Sequence, residues 1–272
     1  MMHWTCGDCN VQTGKSKGGA MALYLRQVAL VAHDLEPRMA ELEAIFGTPI
    51  CFRDDGVAKF GLENALAAIG TQLVEIVAPT EDGTAGGRYL ERRGGDGGYM
   101  VILQCSDQAT QDGCRARAGD MSIRVAWERA HDESKIMQLH PADTGGTFFE
   151  IDFVDPFEPE GLWPPSGGRA WADTINRDLA THIVSAEIQS PDPQQLAARW
   201  AGIVGIPLDG LSIPLENGAI NFVPDEDGRG EGLGGMTIAC ADKAQALSNA
   251  EAAGLPVERD QILWCGLRLD LV

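Results

Sequence analysis

The sequence predicts an α+β protein built from four copies of one βαβββ module, and three observations carry that prediction. Four segments each open on an aspartate suited to capping a helix and close on a glycine suited to ending one: Asp34 to Gly47, Asp107 to Gly119, Asp192 to Gly205 and Asp242 to Gly254. Their lengths alternate, 13, 12, 13 and 12 residues, so the modules alternate in type. Three of them leave by one route, Gly47-Thr48-Pro49-Ile50, Gly205-Ile206-Pro207-Leu208 and Gly254-Leu255-Pro256-Val257. Repetition on this scale takes precedence over any local reading of secondary structure.

In the first module, residues 25–32 form an apolar run that reads as a buried strand. Leu35, Met39, Leu42 and Phe46 then recur at helical spacing up to Gly47, and strands are expected near 57–60, 65–69 and 72–77. The second module opens with a strand over 99–105, continues with a helix from Asp107 to near Gly119, and returns as strands near 122–127, 136–139 and 147–153. The third opens with a strand over 182–189 and a helix carrying Leu196, Trp200 and Ile203. The fourth opens with a strand over 235–240 and a helix through Ala246 and Ala250. The implied organisation is an N-terminal extension over 1–20, a first domain over 22–155, a Pro/Gly/Trp-rich linker over 156–178 and a second domain over 179–272. Trp163, Trp171 and Gly167-Gly168 suit that linker to clasping the domains or to covering a pocket.

The most informative stretch is 136–153, IMQLHPADTGGTFFEIDF. Two apolar runs flank the turn formers Pro141 to Gly146, which is the pattern of a β-hairpin. Glu150 sits in the returning run between Phe149 and Ile151, and that run is apolar on both faces. A carboxylate there wants a metal, a cation or a proton, because an unpaired buried charge is costly. Glu75, inside the apolar run 73–78, raises the same expectation.

Composition narrows the partners. The chain has 272 residues, 44% hydrophobic and 22% charged, and no apolar run near the ~20 residues of a membrane span. A formal net charge of −19 argues against nucleic acid and against an anionic membrane surface. The N-terminus lacks the basic-then-apolar order of a signal peptide, so a cytoplasmic location is expected. Seven scattered cysteines make no disulfide framework. Cys6 and Cys9 with His3 offer fewer than the four ligands that structural zinc takes.

The modules, the opening LRQVALVAHDL and above all the closing HPADTGGTFFEI resemble the vicinal oxygen chelate superfamily. That group includes glyoxalase I, methylmalonyl-CoA epimerase, extradiol dioxygenases and fosfomycin-resistance proteins. The resemblance covers roughly residues 22–272, and the hairpin is most similar to the epimerase branch. It implies two cupped mixed β-sheets, two modules to each, the glyoxalase/bleomycin-resistance/dioxygenase-like fold. It also implies a divalent metal of unknown identity, held in the first cup by Gln27, Glu75 and Glu150. Met100 takes the fourth ligand position, where the family has His or Glu, and thioether sulfur is a poor ligand for a hard ion. Glu150 and Glu75 are the implied catalytic groups, with Met100, His140 and Tyr99 placed to touch substrate.

In the second domain the equivalent places hold Ser185, Asn221, Met236 or Thr237, and Asp270. No metal and no chemistry are expected there, and the cup is expected to be filled by side chains such as Phe222 and Met236. Three functions follow from the resemblance. One is a metal-dependent lyase or isomerase acting on a small enolisable carbonyl compound; another is a metal-free small-molecule binding protein with a degenerate site. The third, a ring-cleaving dioxygenase, needs two histidines and a carboxylate, and only His182 lies in the second half. The expected partners are a small-molecule substrate and, as a homodimer, a second copy of the chain.

Overall fold

A computed structural model describes residues 22–131 and 134–272. The extension over 1–20, with Cys6, Cys9 and His3, lies outside the described residues.

The first domain runs β1 (Leu23–Val31), α1 (Leu35–Phe46), β2 (Ile50–Phe52), β3 (Leu62–Ile69), β4 (Gln72–Pro79), α2 (Ala85–Arg93), β5 (Gly97–Cys105), α3 (Gln108–Asp120), β6 (Val125–His131), β7 (Ser134–Leu139) and β8 (Phe148–Val154). The second runs β9 (Ala180–Ser190), α4 (Pro193–Val204), β10 (Ser212–Leu215), β11 (Gly218–Pro224), β12 (Gly232–Cys240), α5 (Lys243–Ala252), β13 (Val257–Glu258), β14 (Gln261–Trp264) and β15 (Leu267–Leu271).

Two mixed sheets result, in the orders β2-β3-β4-β1-β5-β8-β7-β6 and β10-β11-β9-β12-β15-β14-β13. In each, the first strands of two modules lie antiparallel at the centre, and each of these runs parallel to the last strand of its own module. The third module has one strand fewer than expected, because only β10 and β11 follow its helix.

The helix punctuation follows side-chain chemistry. Asp107, Asp192 and Asp242 each accept the backbone N–H three residues on, at 2.8, 3.0 and 3.0 Å. Asp34 makes no such bond. Gly47 and Gly205 end their helices in the left-handed conformation, with φ of 68° and 72°. Gly119 instead lies within α3, whose cap is Met121. Residues 57–60, expected to be extended, belong to a short 3-10 helix, Asp55–Phe60, capped by Asp54 and closed by Gly61. Val57 and Phe60 are three apart, the period of that helix, and a four-residue window cannot separate that spacing from a strand.

One apolar core joins the two halves of the chain. It takes in α1, α3, α4, α5 and the helix-bearing faces of both sheets. Phe149 of β8 stacks on Trp200 of α4 with centroids 3.9 Å apart, and the Trp200 indole donates to the Thr144 carbonyl. A second, smaller core lies on the opposite face of the first sheet, where the linker folds down and buries Trp163 and Trp171.

Phe222 and Met236 belong to the shared core, so they do not fill the second cup. Strand alternation turns Ser185, Glu187, Asn221, Thr237, Arg268 and Asp270 to that other face. A mostly buried carboxylate, Glu187, accepts there from the Thr237 hydroxyl at 3.3 Å.

Candidate active site

The face of the first sheet under the linker carries an open cavity of about 370 Å³. Register explains what points into it. Gln27, Ile102 and Glu150 are lateral neighbours across β1, β5 and β8, and Gln138 of β7 extends that row. Leu66, Glu75, Ala29, Met100 and Phe148 make the adjacent row. A bulge opposite Ala29 and Leu30 leaves Tyr99 as the extra residue of β5 and turns it toward Phe148. Gln27, Glu75, Glu150, Met100 and Tyr99 therefore line one cavity. His140 does not line it; its Nδ1 accepts the Ala142 N–H at 3.2 Å and stabilises the hairpin turn.

The pairing also explains Met100. β1 and β5 are related by a two-fold exchange that carries Gln27 onto Met100, Ala29 onto Ile102 and Glu75 onto Glu150. The four positions that the resemblance implies thus stand around one point, but their chemistry does not fit a metal centre. Gln27 Oε1 accepts the indole N–H of Trp163 at 3.0 Å. Gln27 Nε2 donates to Glu75 Oε2 at 2.7 Å, and Asn64 Nδ2 donates to Glu75 Oε1 at 2.6 Å. Gln138 Nε2 donates to Glu150 Oε2 at 2.9 Å and lies 4.0 Å from the Met100 sulfur. The Gln27 oxygen is turned to the buried Trp163 indole, so beside it an ion would meet only two carboxylates and a thioether. Among the described residues no group of three or more His, Cys, Asp or Glu is placed to hold a metal.

Burial dominates the electrostatics. It pushes the Glu150 carboxyl up to about 7; the Gln138 amide and Asp152 pull against that, and nearby Glu75 adds to it. Glu75 is also raised, by burial, against the lowering effect of its two amide donors. Asp152, two residues beyond Glu150, is fully buried and raised for the same reason. Tyr99 is pushed up to about 12, so its hydroxyl stays a donor at neutral pH.

Sequence reasoning missed the cations and the amides. Arg129 and Lys59 line the cavity, and neither is in an ion pair with a described residue. Lys59 Nζ lies 4.9 and 5.2 Å from the ring centroids of Phe60 and Trp127, which meet edge to face across the mouth. The Arg129 Nε is buried with no acceptor among the described residues. One signal was available: Asn64 and Gln138, like Glu75 and Glu150, are polar residues with apolar neighbours in their strands, Ala65 beside the first and Met137 and Leu139 beside the second.

No family model matches the chain, and no match was found among curated proteins. Solved structures do match. A Mn(II)-bound glyoxalase from Novosphingobium aromaticivorans is 13% identical, over 91% of this chain and 80% of that one, with a TM-score of 0.62. A mutant 4-hydroxymandelate synthase from Streptomyces coelicolor is 13% identical, over 85% and 75%, with a TM-score of 0.60. Methylmalonyl-CoA epimerase from Mycobacterium tuberculosis is 23% identical over 48% of this chain and 88% of its own, with a TM-score of 0.41. The first two likenesses establish the fold over most of the chain.

Proposed function

We propose that this chain, a protein of the vicinal oxygen chelate fold, is an enzyme of the lyase or isomerase type. It moves a proton on a small enolisable acid or thioester in its first cup. The observation that carries the reading is the meeting of two buried carboxylates, Glu75 and Glu150, with Arg129, whose guanidinium is in no ion pair with a described residue, around one cavity. A proton α to a carbonyl is removed only if the oxyanion left behind is stabilised. Arg129 supplies that positive charge, and the Tyr99 hydroxyl supplies a donor.

Glu150 is the base. Its Oε2 accepts from Gln138, which orients the carboxylate that takes the proton. The C–H electron pair moves into the carbonyl, and Arg129 holds the resulting oxyanion. Collapse of the enolate either takes up a proton on the opposite face or at another carbon, giving an isomer, or expels a β-substituent with its bonding pair, giving a lyase product. Glu75, fixed by Gln27 and Asn64, faces the substrate from the other module. The mouth residues Lys59, Trp127 and Phe60 suit a substrate with an anionic end and an apolar body.

A metal-free binding protein is the second reading. It is favoured by the complete internal pairing of Gln27 and Glu75, which a cup needs for holding a ligand and a reactive site does not. A ring-cleaving dioxygenase fits less well, since no described histidine lines the cavity.

Exchange of α-protons in heavy water, followed by proton NMR over a panel of small 2-oxo acids and acyl thioesters, separates the readings. Native protein is expected to catalyse exchange with at least one compound. Glu150→Gln should lower the rate by about a hundredfold or more, the usual contribution of a general base. Arg129→Met, which removes the charge set against the oxyanion, should mainly lower kcat. Binding without exchange by the native protein would favour the second reading.

A further inference from the structure

The linker does more than join the domains: it reaches into the ligand position. Trp163 is fully buried, and its indole nitrogen is 3.0 Å from Gln27 Oε1. An indole N–H can only donate, so the Gln27 oxygen must face it and the Gln27 nitrogen must face Glu75. The 2.7 Å contact from Nε2 to Glu75 Oε2 agrees with that orientation. If Gln27 turned its oxygen toward the cavity, two buried hydrogen bonds would be lost at once, and the Trp163 N–H would be left unpaired.

Trp163 is itself held in place. The Arg26 guanidinium lies 5.1 Å from the Trp163 ring centroid and 4.8 Å from that of Trp171. Arg26 is anchored in turn by the carbonyls of Thr71 and Pro159. The Trp163 backbone pairs with Gly168 in both directions, at 2.8 and 3.1 Å. Swinging the indole away would therefore unpack the buried arginine and open the linker loop.

We propose that Trp163 is a positioning residue that closes the first cup to a divalent metal. The chain of bonds from Trp163 to Gln27 to Glu75, completed by Asn64, engages the Gln27 oxygen and both Glu75 oxygens that an ion would need. It keeps Glu75 oriented by amide donors in place of a cation. The inference rests on the first cup being the working site, but its test reads ion uptake and not turnover, so either idea can fail without the other.

The test is titration of Mn2+ into chelator-treated protein, with the free ion followed by EPR. Native protein is expected to leave the free-ion signal unchanged. Trp163→Phe keeps the ring and removes the donor, which frees Gln27 Oε1 to join Glu75 and Glu150. It should bind Mn2+ at least about tenfold more tightly than native, the scale on which outer partners tune metal affinity. Trp171→Phe is the control, because the Trp171 indole donates to the Gly161 carbonyl and not to the site. It should behave like native protein. One equivalent of tightly bound Mn2+ in native protein would overturn the proposal. So would equal affinities for native and Trp163→Phe, or tighter binding by Trp171→Phe to the same degree.

Discussion

A carboxylate kept in an apolar cup for chemistry should cost the fold something, and Glu150 allows that cost to be measured. Its folded pKa, about 7, lies above the ordinary glutamate value of 4.5. Between those values the folded protein holds a proton that the unfolded chain has released, so stability falls as pH rises through that window and levels off above it. Asp152 and Glu75 shift in the same direction and add to the fall. Glu150→Gln removes one contribution. It should therefore be no less stable than native at pH 8, and more stable by on the order of 1 kcal/mol, while the two differ less at pH 5. Urea unfolding at both pH values checks this, and a variant clearly weaker than native at pH 8 would make Glu150 a structural carboxylate. The position of this residue was legible because a carboxylate set between Phe149 and Ile151 in an apolar strand is a local anomaly. Its more distant companions were not: Arg129 and Trp163 come from another strand and the linker, and no local pattern ties them to Glu150.

At the scale of elements, the repeat was legible because capping is chemistry within one turn. The same four aspartates show where that legibility stops. Asp192 accepts the Gln195 N–H at 3.0 Å, whereas Asp34, in the matching place one domain earlier, caps nothing. Asp192→Ala should cost about 1 kcal/mol of stability, and Asp34→Ala only a few tenths, by chemical denaturation. Equal losses would mean that the shared spacing reflects something other than capping. Helix α2 was not anticipated. Gly86 and Gly87 in its first turn lower helix propensity, although Thr84 caps it by accepting from Gly87 and Gly94 ends it with a φ of 73°. The alternation that places Phe222 in the core and Asn221 in the second cup depends on strand phase, and a run such as 218–224 reads equally well either way up until its neighbours are known.

At the scale of the molecule, the sequence suggested two domains joined by a linker, and the core raises the question of whether they can be separated. Helices α1 and α3 of the first half and α4 and α5 of the second pack into a single apolar cluster that includes one face of each sheet. Contacts between the halves are reciprocal. The Gln72 side chain both accepts the Ile183 N–H and donates to the Ile183 carbonyl, at 2.8 and 2.7 Å, and Asn217 does the same with Leu25, at 2.8 and 3.0 Å. A Cβ added at Gly98 of β5 would sit 2.4 Å from Leu233 of β12, so the sheets approach each other with no space for a side chain. Two units that share a core cannot lose it one at a time, so thermal unfolding should show one calorimetric transition. Trp200, stacked on Phe149, edge-on to Phe222 and bonded to Thr144, belongs to both halves. Trp200→Ala should cost about 3–5 kcal/mol and lower the single transition without splitting it. Two resolved transitions in native protein would mean that the halves fold independently. The second sheet would then add little to the stability of the first cup, and its own face, with Glu187 and Asp270, would need a purpose of its own.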